Sequence, residues 1–163
     1  MRVAAVSTDE VLQPLEEAIS QVLIPALTLQ PAPSKVTRDL LALPVCLAGM
    51  GVVYLLHWCK QQQVTSSRTC QHLKEMIIKQ DGDVSKASEK QCNIKKRLHQ
   101  QHRIKLEEDA STIISALPHY QQKCALLAQE KGASSWLTVI PSQRHRFTLH
   151  TGAFRDVVGL RYG

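Results

Sequence analysis

Apolar residues near the N-terminus recur at steps of three or four, the period of one face of an α-helix. Thr8 or Asp9 can cap the first turn of such a helix. We therefore predict an N-terminal helix within residues 1–30. Pro14 fits a helix only in its first turn, and Pro25 is expected to kink or end it. The apolar face consists of Val11, Leu12, Leu15, Ile19, Leu23 and Leu27.

The most apolar stretch, Leu40 to Cys59, contains no Asp, Glu, Lys or Arg. Twenty such residues are enough to cross a bilayer as a helix. Pro44, Gly49 and Gly51 favour a different structure, because proline and glycine interrupt helices. Two interpretations therefore stay open, a turn buried in protein and a membrane span.

The chain contains neither glycine nor proline between Asp83 and Pro118, which predicts a long helix in this region. A shorter helix is predicted before it, from Ser66 to Gln80. The acidic run 107–109 could start a new helix, so residues 83–117 form either one helix or two. One face of the region is an apolar stripe made of Ile94, Leu98, His102, Leu106, Ala110, Ile113 and Leu117.

Positive charge is concentrated in the middle of the chain. The formal net charge is +6, and residues 60–105 carry eleven Lys or Arg against four Asp or Glu. A basic segment suits a polyanion such as RNA or DNA, or else is a solvated helix face. No aromatic residues interleave with these cations, so we expect no sequence-specific readout. The predicted nucleic-acid-binding residues are Lys90, Lys95, Lys96, Arg97, Arg103 and Lys105.

The cysteine and histidine pattern does not indicate a metal site, and we predict no metal and no cofactor. His99 and His102 with Cys92 are the only crowded soft ligands, and a structural zinc site needs four. The five cysteines are odd in number and lack short paired spacings, and acidic residues interrupt any early apolar run. We therefore expect a reduced, intracellular protein of the nucleus or cytoplasm, with a membrane as the alternative location.

Two motifs resemble the region that follows the polymerase domain in reverse-transcriptase polyproteins of non-LTR-type retroelements. The first is Leu43-Pro44-Val45-x-Leu47-x-Gly49-Met50-Gly51-Val52, which is similar to the family's Leu-Pro-Val-x-Leu-Gly-Gly-Leu-Gly-Ile. It departs from that pattern at Cys46, where the family has Arg, at Ala48, where it has Gly, and at Tyr54-Leu55, near an expected Asn-Pro. The second motif is the C-terminal string whose marker residues are Gly132, Trp136, Leu137, Phe154, Arg155, Leu160, Arg161 and Tyr162.

The resemblance implies a helical linker between a polymerase and the zinc-binding cluster and nuclease-like domain that follow Arg161-Tyr162-Gly163 in the family. We therefore expect a truncated, non-enzymatic piece. Its sequence has no adjacent Asp pair of the kind that a polymerase needs for its metals.

We expect a mainly α fold, an irregular multi-helix assembly with one long basic helix and a short mixed C-terminal segment. Its parts would be an N-terminal helix (1–30), an apolar segment (31–65), a basic helical region (66–131) and the C-terminal segment (132–163), all of one incomplete domain. Phe147 to His150 alternates like a strand, and a last helix is predicted from about Thr151.

The predicted function is weak, sequence-independent binding of RNA or DNA, with self-association through exposed apolar faces. One alternative is a small single-pass membrane protein that uses Leu40–Cys59 as its span. The other alternative is a helical protein-interaction module.

Overall fold

The computed structural model describes residues 8–28, 34–80, 84–138, 142, 144 and 148–162. In these ranges the chain is mainly α-helical without a β-strand, which confirms the predicted fold class. Residues 148–150 are not in a strand, and Phe147 lies outside the described residues. The α-helices are α1 (Thr8–Ala18), α2 (Ile24–Thr28), α3 (Lys35–Ala42), α4 (Leu55–Lys79), α5 (Val84–Ser115), α6 (His119–Gln129) and α7 (Thr151–Tyr162).

The expectation for Pro14 was wrong, because Pro14 lies inside α1 beyond its first turn. Pro25 is the second residue of α2, and the regular α-helix is interrupted just before it. Between α1 and α2 the chain forms a π-helical turn, Ile19–Leu23, in which the Ile24 amide donates to the carbonyl of Ile19. A wider turn of this kind interrupts the regular hydrogen-bond ladder just before a residue that has no amide hydrogen.

Residues 40–59 form the end of α3, a turn and the start of α4 rather than one continuous helix. The α3 helix, capped by the Ser34 hydroxyl at the amide of Thr37, ends at Ala42 before a 3-10 turn (Val45–Leu47). Gly49 packs so closely that an added Cβ would lie 1.8 Å from the carbonyl oxygen of Leu43. None of the helices in the described ranges is both long enough and apolar enough to span a membrane.

A long hairpin of α4 and α5 follows this turn. The predicted Ser66–Gln80 helix begins eleven residues earlier, at Leu55, so α4 crosses the boundary that we placed at residue 65. The α5 helix is a single helix, so the acidic run 107–109 starts no new one. The apolar stripe predicted for α5 is confirmed, because each of its seven residues is buried or half-buried.

The core lies at one end of this hairpin, where the last third of α5 meets α2, α3, α6 and α7. Its largest fully buried side chains are Ile24, Leu41, Val158 and Tyr162. The rest of the hairpin is much less buried: within 60–80 and 87–105 only Thr69 and Ala87 are buried. The fold therefore separates a packed end from a solvated helical arm.

One buried ion pair ties the N-terminal helix to the start of this arm. The Arg38 guanidinium donates to Glu16 at 3.1 Å, and the two side chains are 8% and 14% exposed. The other Glu16 oxygen accepts the amide of Leu55 at 2.8 Å and so caps α4. Arg38 also donates to the carbonyls of Val52 and Val53 and lies 4.0 Å from the centre of the Tyr54 ring.

We expect Glu16→Ala to lower the free energy of unfolding by about 3 kcal/mol, because it leaves a buried guanidinium without its counter-charge. Glu17→Ala is the matched control: Glu17 is exposed and accepts only a surface hydrogen bond from Gln13, so the loss should be about 0.5 kcal/mol or less. Urea unfolding measures both. Equal losses in the two variants would show that the buried contacts of Glu16 do not hold α1 to α3 and α4.

Candidate functional site

A cleft of about 610 Å³ runs between α4 and α5 along the solvated arm. We call it the basic cleft. Its charged and titratable lining comes from both helices: His57, Lys60 and Arg68 from α4, and Lys95, His99, His102 and Lys105 from α5.

Helical periodicity brings these side chains together. On each helix the lining residues recur at steps of three or four, so they share the face that looks towards the partner helix. Val64 and Leu98 are the apolar residues of the lining. Gln61 and His102 form a hydrogen bond of 3.0 Å across the cleft, which fixes the register of the two helices.

The charged side chains that line the basic cleft are all basic, since no Asp or Glu of the described residues lines it. Lys60 is partly neutralised by Asp9, 2.8 Å away on α1. Arg68, Lys95 and Lys105 have no carboxylate within ion-pair distance in the part of the chain that the structure describes. Cations that lack internal partners are available to an external anion.

Two of the six predicted nucleic-acid-binding residues, Lys95 and Lys105, line the basic cleft. The other four are also exposed but lie elsewhere on α5: Lys90, Lys96, Arg97 and Arg103. Arg97 follows Lys95 by two residues and therefore points about 200° away around the helix. Arg103 pairs with Glu107 at 2.9 Å on the helix surface.

The sequence analysis missed the contribution of α4. Lys60 and Arg68 were not proposed as binding residues, although they lie in the predicted basic segment. The signal that could have found them is their spacing, with His57, at three and eight residues along one helical face. Within the described residues no group of three or more His, Cys, Asp or Glu side chains could hold a metal ion.

The C-terminal motif residues are mostly packing residues. The rings of Trp136 and Phe154 meet edge to face with centres 5.9 Å apart, against the core. Gly132 adopts a left-handed conformation (φ +90°) in the turn after α6. Leu137 is half-buried, whereas Arg155 and Leu160 are exposed.

Arg161 and Tyr162 end this motif inside the core. Ser134 joins the tail to α6, because its hydroxyl donates to the carbonyl of Ala128 at 2.6 Å and accepts from Arg161 at 2.9 Å. The Tyr162 hydroxyl is buried and has no hydrogen-bond partner among the described residues. Burial raises the pKa of Tyr162 to about 12, against a smaller lowering by Arg161.

An exposed apolar stripe lies on the N-terminal helix. Val11, Leu15 and Val22 are each more than half exposed, and with Ala18 they recur at steps of three or four along one side.

No protein-family model matches the chain, and no curated protein or solved structure is significantly similar to it.

Tyr162 should make the stability of the protein sensitive to high pH. Its pKa is raised above the ordinary value of 10, so the folded state favours the neutral phenol. The stabilisation that comes from burying the neutral phenol is complete below pH 10. As the pH rises towards 12 the free energy of unfolding should fall by about 2–3 kcal/mol.

Tyr162→Phe should remove most of this pH dependence. At pH 7 it should change stability by about 1 kcal/mol or less, since the lost hydroxyl has no partner in the described structure. Urea unfolding at pH 8 and pH 11 measures the difference. Tyr54, whose pKa burial and the hydrogen bond to Asp39 raise to about 12, is unchanged in both proteins and provides the reference. If the free energy of unfolding depended on pH in the same way in both proteins, the assignment of this dependence to Tyr162 would be wrong.

Proposed function

We propose that this protein is a non-catalytic, retroelement-derived helical segment that binds nucleic acid weakly, without sequence preference, in the basic cleft. The observation that carries the proposal is a cleft with four Lys or Arg, three His and no carboxylate in its described lining. The resemblance of its motifs to the region after a retroelement polymerase supports the same function, because a linker in that position lies next to template.

Phosphate contacts explain why the binding should be weak and general. Lysine and arginine neutralise phosphates whatever the base, and the gain comes from released counterions. Four such contacts to a single strand predict that the logarithm of the association constant falls with the logarithm of salt concentration at a slope of about −3. Lys60 adds less than the others, since Asp9 already pairs with it.

The proposal predicts different effects for two pairs of substitutions on the hairpin. Arg68→Gln with Lys95→Gln removes facing cations of the cleft, and should weaken binding of a fluorescein-labelled oligonucleotide at least about tenfold at 50 mM salt. It should also flatten the salt slope by about 1.4, or 0.7 for each lost contact. Fluorescence anisotropy over a series of salt concentrations measures both quantities.

Lys90→Gln with Arg97→Gln is the control. It removes the same two residue types and the same charge, from exposed positions outside the cleft. We expect a loss of less than about threefold, from the general field alone. Equal losses in the two double variants, or affinity that does not change with salt, would refute binding in the cleft.

The exposed apolar stripe of α1 and the π-helical turn after it favours a second candidate function, a helical protein-interaction module that pairs with a copy of itself. Its residues Val11, Leu15, Ala18 and Val22 follow the spacing of a helix-packing face but contact solvent.

Sedimentation velocity at rising protein concentration tests this second candidate. The wild-type chain should form a dimer at micromolar concentration, and Leu15→Glu should abolish it by placing a charge in the apolar stripe. Gln21→Glu, which adds the same charge at an exposed position of the π-helical turn, should still dimerise. A wild-type protein that stays monomeric throughout excludes self-pairing through this face.

A further inference from the structure

A second cleft, of about 410 Å³, opens beside the basic cleft at the start of α4. We call it the apolar cleft. Its volume lies within the range of small-molecule binding pockets. The two clefts share His57, Gln61, His102 and Lys105, so they form one continuous surface.

The lining of the apolar cleft differs in kind from that of the basic cleft. Leu43, Pro44, Val53, Trp58 and Leu106 make it largely apolar. Its one carboxylate among the described residues, Asp109, would repel a phosphate, so phosphates are expected to stay in the basic cleft.

Trp58 is the residue in this cleft that is best suited to stacking. Its side chain is 44% exposed, on the α4 turn that follows Tyr54. Tyr54 is already engaged, because its hydroxyl donates to Asp39 at 2.7 Å and its ring faces the Arg38 guanidinium. The indole of Trp58 therefore offers an aromatic surface next to the shared Lys105, although the two residues are far apart in sequence.

These two linings match the two parts of a nucleotide. Phosphates suit the basic cleft, and an unpaired base suits the apolar cleft, where it can stack on an indole. A duplex is a poorer fit, because its bases stay stacked and can be reached only through its grooves, so none of them could lie flat against Trp58.

We propose that the ligand of this surface is single-stranded nucleic acid, with one unstacked base placed against Trp58 and the adjoining phosphates in the basic cleft. The proposal rests on the proposed function and names its substrate class. No aromatic residue interleaves with the cations in the sequence, and the aromatic surface comes instead from Trp58 of the adjoining apolar cleft, which shares Lys105 with the basic cleft.

The test compares Trp58→Ala with Trp58→Phe, using a labelled 20-nucleotide oligothymidine and a 20-base-pair duplex as probes. Trp58→Ala should weaken binding of the single strand about tenfold, as expected for the loss of one stacked base, and should leave duplex binding unchanged. Trp58→Phe keeps an aromatic face and should retain most of the affinity. Circular dichroism melting of each variant checks that it is folded.

A second readout uses the fluorescence of Trp58 itself in a Trp136→Phe background, where it is the only tryptophan of the chain. Oligothymidine should quench this emission, and inorganic polyphosphate, which has no bases, should bind with little quenching.

If Trp58→Ala leaves single-strand binding unchanged while Arg68→Gln with Lys95→Gln weakens it, the stacking inference is wrong and the proposed function stands. If neither variant alters binding, both are wrong. A polyglutamate peptide that binds as tightly as oligothymidine and depends equally on Trp58 would assign the surface to an acidic protein instead.

Discussion

The buried pair of Arg38 and Glu16 is the constraint on which the placement of the arm depends. One Glu16 oxygen holds the guanidinium and the other caps the first amide of α4 at Leu55. Arg38 holds the two carbonyls that precede this helix, at Val52 and Val53. The start of α4 is thus fixed by side chains from α1 and α3, and this start decides which α4 residues face α5. A single-residue change in register would rotate Lys60 and Arg68 by about 100° away from the cleft.

Most of the core and most of the cations lie in different parts of the fold, and the two meet at Leu43, which belongs to the core and lines the apolar cleft. The core draws on α2, α3, α6, α7 and the last third of α5, where apolar side chains exclude water. The cations lie on the part of the hairpin where, of the described residues 60–80 and 87–105, only Thr69 and Ala87 are buried. Charges in that position keep their hydration and cost the fold little, because burying an unpaired charge is what destabilises a protein. The arm can therefore carry a high density of positive charge without weakening the core.

Local periodicity predicted much of the helical structure. The apolar stripe that runs from Ile94 along α5 to Leu117, just beyond its end, and the start of α7 near Thr151 follow from spacing and from the absence of breakers, and the structure has both. The start of α4 could not be predicted from periodicity, because Leu55 to Cys59 resemble the end of an apolar run. The residue that caps the helix, Glu16, is also 39 positions away in the sequence. The expectation that Pro14 lies in the first turn of a helix failed for a related reason. A proline costs a helix one hydrogen bond, and tertiary contacts of α1 with α4 offset that loss.

The proposed binding surface was predicted only in part, because its α4 side joins the α5 cations only when the two helices pair. Lys95 and Lys105 were found from charge alone, but their α4 neighbours and Trp58 become relevant only when the hairpin closes through Gln61 and His102. The most direct test of this account is a titration of ¹⁵N-labelled protein with oligothymidine, followed by the chemical shifts of backbone amides. The account predicts shifts confined to residues 42–44, 51–68 and 95–109, the segments that line the two clefts, with α6 and α7 unchanged. Shifts centred on α6 and α7, or no shifts at low salt, would contradict it.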